Sequence, residues 1–351
     1  MKIEFKALDT LFFKDGKPFY SGEDVWGNGM FPPAPSVIYG AIRSAWFVQN
    51  DVNFDKANSD DDPTKNLKIK SIYFYCDEDN QYYFPCPLDI VESGDVVYSL
   101  SLVNNKEFIN SSGFSYFPIL DSNDKIEKEE LKFIGYYDLS EYLVKSKVNE
   151  KIRFLKMKDF ITPETKTGIA RDSSTRTTRE GKIYRVEMLR IDKIKFVVDF
   201  EGIDLSDKGF LKLGAEGKVV RYESKDNELD LDKKPNQSKN YLKLVLTTPA
   251  IFEKGWIPSW FDEDVFEGIF NGIRLKLIAC YIGKPIYIGG FDIKKRKPKP
   301  MKKAVPSGSV YYFEILSGSF DDCFKAFNFA SISDLKSEEG FGISIIGGIE
   351  V

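Results

Sequence analysis

GIARDSSTRTTREGKIYRVEMLR, residues 168–190, is the stretch on which the reading of this chain turns. Gly168 opens it, and Arg171, Arg176 and Arg179 then alternate with Ser173, Ser174, Thr175, Thr177 and Thr178. Lys166, Lys182, Arg185 and Arg190 extend the basic character, against only Asp172, Glu180 and Glu187. Guanidinium forks engage two phosphate oxygens at once, and small hydroxyls reach a bent backbone from a tight loop. A solvated, charged loop has the same composition, so residue types alone leave both readings open. From residue 184 to 190 the pattern changes to a strand.

Working outward, strands are expected at 2–8, 68–76, 82–86, 184–190, 194–200, 219–222, 241–247, 274–281 and 309–316. The turn at Asp77, Glu78, Asp79 and Asn80 makes a hairpin of 68–76 and 82–86. A Gly- and Pro-rich loop leads to an amphipathic helix over 37–49 with Ser36 as its cap; Val37, Ile38, Ala41, Ile42, Ala45 and Trp46 face a core. Shorter helices are expected at 205–213, 262–271 and 320–327. Polar excursions at 50–66 and 223–240 read as insertions, the first as a mobile one. The fold class is therefore α+β: two ferredoxin-like, RRM-like βαββαβ domains with long loop insertions. The domains are 1–165 and 166–351, dividing somewhere between 145 and 200. A chain of 351 residues exceeds the usual single core, which also favours two.

The chain contains no histidine. That removes the usual acid/base group near neutral pH, and with it Ser-His-Asp, Cys-His, HExxH and histidine-based nuclease chemistry. The four cysteines form no CxxC pair and no zinc spacing, and no GxxxxGK[ST] occurs. Asp60, Asp61 and Asp62 are too loosely held for a metal, so neither metal nor cofactor is expected. Net charge is −4 with a pI near 5.4, so a nucleic-acid site has to be local. A second basic run, Lys294, Lys295, Arg296 and Lys297 with Lys299, Lys302 and Lys303, reads as an extended arm along single-stranded RNA or as a solubilising loop. The glycines of 209–217 and 340–348 suit tight turns better than phosphate binding. No run of about 20 apolar residues occurs and the N-terminus lacks a signal-peptide core, so a cytoplasmic protein is expected.

In this order, PAPSVIYGAIRS (33–44), the 168–190 motif with its EGxxYRVE segment (180–187), LGAEGKVVRYE (213–223) and Ser307-Gly308 before a strand resemble a known family. It is that of the third subunits of the Cmr, or type III-B, CRISPR RNA-silencing complexes, in the RAMP superfamily. The resemblance implies two ferredoxin-like folds and a non-catalytic subunit. Such a subunit holds the 5′ tag of the guide RNA (crRNA) and contacts the large polymerase-cyclase subunit and other RAMP subunits. It carries RNA contact onto residues 168–180 and Arg185, with Arg43 next; the arm at Lys294 to Lys297 rests on composition. An RNA-processing endoribonuclease of the same superfamily and a purely structural adaptor are the competing readings.

Overall fold

The structure, a computed structural model, describes residues 1–14, 25–27, 29–104, 113–120, 125–126, 131–145, 148, 151–172, 174–175, 177–225, 234, 240–292 and 297–349. It is a strand-rich mixed fold with three α-helices among the described residues. Strand β1 (Lys2–Ala7), the short β2 (Val25–Gly27), helix α1 (Pro35–Gln49) and the hairpin β3 (Lys68–Cys76) and β4 (Gln81–Pro85) come first. Two small hairpins follow, β5 (Ile90–Ser93) with β6 (Val96–Ser99) and β7 (Ser101–Asn104) with β8 (Tyr116–Ile119). Then come β9 (Lys132–Gly135), α2 (Tyr136–Lys145), β10 (Leu155–Lys156), the long strands β11 (Ile161–Arg171) and β12 (Thr178–Ile191), β13 (Ile194–Glu201), β14 (Lys208–Lys212) and β15 (Val219–Ser224).

Eight strands form one antiparallel sheet in the order β10-β9-β4-β3-β13-β1-β15-β14. Counting β1, β3, β13 and β15 in chain order, its centre reads second, third, first, fourth. Alternation decides its faces: Ile3, Phe5, Phe196, Val198, Val220 and Tyr222 point to one side, where Ile38, Ala41, Ile42 and Ala45 of α1 cover them. Pro35 opens that helix with its φ already set and no donor to lose. Ala34, not Ser36, is the N-cap, and no side chain caps it.

After residue 240 the chain builds a second sheet from β16 (Tyr241–Leu246), β17 (Glu267–Phe270), β18 (Ile273–Tyr281), β23 (Val310–Ser317), β24 (Ala330–Ser331) and β25 (Ile343–Gly348), in the order β17-β18-β23-β16-β25-β24. Between β18 and β23, strand β19 (Ile286–Ile288) pairs with β22 (Lys302–Ala304), and β20 (Phe291–Asp292) with β21 (Lys297–Pro298). Helix α3 (Phe320–Phe327) buries Phe320, Cys323 and Phe327 against the second sheet, and Ser319 and Asp322 cap its start reciprocally. The other faces of the two sheets meet in a shared core, where Tyr73, Phe84 and Val197 pack with Val245, Ile278, Tyr312 and Ile345. Leu139 and Tyr142 of α2 enter that core.

Four expectations change. Residues 205–213 are not helical: Leu211 faces the α1 core while Lys208, Phe210 and Lys212 face out, a period of two. Residues 262–271 are a turn and strand β17, because the Asp262 carboxylate accepts from the Asp264 amide (2.8 Å) and Phe266 takes a left-handed φ of 55°. On the faces turned away from the shared core, α1 covers the first sheet and α3 the second, while α2 lies between the sheets. The first sheet closes only with β15, so the change of sheet follows Ser224, later than the 145–200 window. The 50–66 segment is tied down by Arg43 of α1 and by a 3-10 turn at Phe54–Lys56 that Asn53 caps.

Candidate nucleic-acid interface

The 168–190 motif is a hairpin. Strands β11 and β12 pair from Ile161↔Ile191 through Gly168↔Tyr184 to Arg171↔Thr178, with an irregularity between Ile169 and Arg171, and β2 adds a parallel third strand at Tyr184 to Val186. Among the described residues between Arg171 and Thr178, Ser174 and Thr175 form a turn. The Asp172 amide donates to the Thr177 carbonyl (2.9 Å), and the Asp172 carboxylate accepts from the amides of Ser174 (2.9 Å) and Thr175 (3.2 Å). The hydroxyls of Thr175 and Thr177 lie 2.7 Å apart. This Asx-type turn needs a short acidic side chain at its start, which Asp172 supplies.

The base of the hairpin is fixed and its far half is open. Leu11 and Leu189 exchange backbone hydrogen bonds of 2.8 and 2.7 Å, Val186 and Met188 pack on Phe12, and Ile161, Leu189 and Ile191 join the first core. Beyond them Thr165, Lys166, Thr167 and Ile169 are exposed. Gly168 serves packing: a Cβ there would stand 2.1 Å from Cζ of Tyr184, whose ring crosses the strand.

The motif's cations divide into two groups. Near the base, Arg190 pairs with Glu164 and stands 3.8 Å from Asp9, and Lys166 pairs with Glu216 at 3.1 Å. The Arg190 hydrogen bond holds the Glu164 carboxyl below its ordinary range, and that of Lys218 does the same for Asp9. Arg185, in contrast, is exposed, opposite Thr167, with no acid paired to it among the described residues. Ser174, Thr175 and Thr177 are exposed at the tip. The backbone of Arg171, Thr178 and Arg179 is in the hairpin, but their side chains, with all of Ser173 and Arg176, lie outside the described residues.

Arg43 is not brought to the hairpin. It leaves α1 toward the 58–64 turn, where its Nε donates to Thr64 Oγ1 (2.7 Å), its Nη1 to Asn58 Oδ1 (2.9 Å) and its Nη2 to Asp62. Burial alone would push the Asp62 carboxyl up, yet bonds from Thr64 and Asn58 and the charge of Arg43 outweigh it and hold it below the ordinary value. In the second basic stretch, residues 297–298 and 302–304 pair antiparallel with 291–292 and 286–288. Lys297, Lys299, Lys302 and Lys303 are exposed there; Lys294, Lys295 and Arg296 lie outside the described residues. No group of metal-binding side chains occurs among the described residues, and no helix there is long and apolar enough to cross a membrane.

Sequence reading missed one ionisable cluster. Between the sheets, Asp89 accepts from the hydroxyls of Tyr142 (2.6 Å) and Tyr312 (2.6 Å), and Lys243 Nζ stands 3.2 Å from the Tyr142 ring centre. Burial drives the Lys243 ammonium down to about 7, against the pull of Asp89. These residues come from four distant segments, so no local pattern announces them. Enclosed on all sides by the shared core, they join the sheets and offer no route to a substrate.

Comparison with known proteins agrees with this architecture. A family model described as CRISPR-associated protein (Cas_Cmr3) matches residues 3–348. The CRISPR system CMR subunit Cmr3 of Saccharolobus solfataricus is 23% identical over 320 residues, covering 88% of this chain and 85% of that protein. A chain in the cryo-EM structure of the Type III-B Cmr-beta bound to cognate target RNA shares the fold with a TM-score of 0.53 at 18% identity, covering 89% of this chain and 86% of that one. With the family pattern running from β1 to β25, this chain belongs to the Cas_Cmr3 family of CRISPR-associated proteins.

Proposed function

We propose that this chain is a non-catalytic, guide-RNA-binding subunit of a type III-B effector complex in antiviral defence. In this reading the β11–β12 hairpin holds the 5′ tag of the guide, and the chain contacts the large polymerase-cyclase subunit and other RAMP subunits. The two sheets are two variants of the ferredoxin-like plan, each having exchanged one helix for an edge strand. Family membership supports the assignment to the complex. The observation that carries the RNA site is the hairpin itself: a base fixed in the core, basal cations already neutralised, and a hydroxyl-rich tip with Arg185 exposed below it. Such a site is local, as an acidic protein requires. The absence of histidine supports a holding role over a cleaving one.

The test is guide binding by the assembled complex, with Arg171, Arg176 and Arg179 replaced by alanine. Affinity should fall for tagged guide and change little for guide lacking the tag. Equal affinity of altered and unaltered complexes for tagged guide would refute the site. Site-specific cleavage of repeat RNA by the purified chain would refute the non-catalytic role.

A further inference from the structure

Strand β14 ends the first sheet, and its outward residues are Lys208, Phe210 and Lys212. Phe210 is 63% exposed, although this chain buries most of its phenylalanines. Outward lysines on an edge strand are commonplace, since they discourage pairing with other chains, but that role leaves an outward phenylalanine unexplained. Neither lysine is paired to an acid among the described residues. Spaced by two, the three side chains stand on one face about 7 Å apart.

The same row continues into the sheet. Phe210 lies opposite Arg221, and Arg221 opposite Lys6, on the face that α1 leaves uncovered. Acids are present: Arg221 pairs with Glu223, Lys6 approaches Asp77 at 3.9 Å, and Lys225 approaches Glu4 at 3.7 Å. Glu223 also lies opposite Lys208 in the β14–β15 register, so acids temper the row's charge at that end, whereas Lys212 lies opposite Val219. A turn joins this face to the hairpin: the Ala215 amide donates to the Phe12 carbonyl (2.8 Å), and Glu216 binds Lys166 of β11. Lys212 and Phe210 precede that turn in the chain, on the strand that leads into it.

We propose that Lys208, Phe210 and Lys212, backed by Arg221 and Lys6, form a second RNA contact that stacks one unpaired base on Phe210 between two lysine-bound phosphates. This rests on the reading of the chain as an RNA-binding subunit. An aromatic ring takes any base face, and flanking lysines add sequence-blind attraction. A protein partner fits less well, because the centres of protein interfaces are depleted in lysine.

Complexes assembled with guide RNA carrying photoreactive uridines would be crosslinked and mapped, and guide affinity measured for Phe210→Ala, Phe210→Tyr, the Lys208→Glu/Lys212→Glu pair and the hairpin triple variant. Phe210→Ala should lose about tenfold in affinity, the scale of one base-aromatic stack. Phe210→Tyr should restore it, and RNA should crosslink within 208–212. If the hairpin variant loses guide while every β14 variant binds normally, the hairpin reading survives and this inference is wrong. If neither set changes binding, the RNA-binding reading itself fails. Crosslinks from 208–212 to a neighbouring subunit alone would make the face a protein interface and overturn the proposal.

Discussion

Arg43 and Arg185 place the same guanidinium in opposite settings. Arg43 spends its donors on Thr64, Asn58 and Asp62 inside the protein, whereas Arg185 stands exposed on β12. Arg43→Ala strands a buried carboxylate and should lower unfolding free energy by about 3 kcal/mol in denaturant titration. Arg185→Ala should stay within about 0.5 kcal/mol of the unaltered chain and weaken guide binding instead. Because the folded Asp62 carboxyl is held below its unfolded value, its contribution is present at neutral pH and lost as pH falls through that lowered value. Asp62→Asn should remove that part of the acid sensitivity. The family resemblance pointed to both residues in the sequence; whether an acid lay opposite could not be read there, because Asp62 meets Arg43 from a segment that looked loose.

At the scale of elements, α2 sits on β25 because Gly347 has no side chain. A Cβ there would come within 2.6 Å of the Leu143 carbonyl oxygen and 2.8 Å of its Cα, which are backbone and cannot swing aside. Gly347→Ala should therefore cost about 2 kcal/mol and lower the melting temperature, with hydrogen exchange quickened in α2. Such packing glycines explain the run near 340–348 without any phosphate. Local signals did locate many elements: β3 and α3 fall at 68–76 and 320–327, where the strand and helix patterns put them. They failed where short apolar runs fit both periods, as Leu211 and Leu213 do, and where turn chemistry at Asp262 decided. The β11 half of the hairpin escaped notice because Thr162, Pro163, Thr165, Lys166 and Thr167 are exposed and Glu164 is half-buried, so no buried face marks the strand.

For the molecule as a whole, the two sheets share one core, and Lys243 is buried in it. Its folded ammonium titrates near 7, below the ordinary lysine value, so between about pH 7 and 10 the unfolded chain binds a proton that the folded chain does not. Stability should thus rise with pH in that window, by about 2 kcal/mol between pH 7 and 9, and Lys243→Met should lose the rise. Below about pH 7 both states hold the proton and the dependence ends. That strands and helices mix in this chain was legible from pattern, but the strand pairing that sets where one sheet ends was not. Strands β13 to β15 return to pair with β1, a long-range choice that no local window contains.

A β11–β12 hairpin that neutralises guide-RNA phosphates sets the salt dependence of guide binding by the assembled complex. Replacing Arg171, Arg176, Arg179 and Arg185 by alanine one at a time should flatten the slope of log affinity against log salt by about 0.7 for each phosphate contact removed. An unchanged slope in all four variants would contradict it.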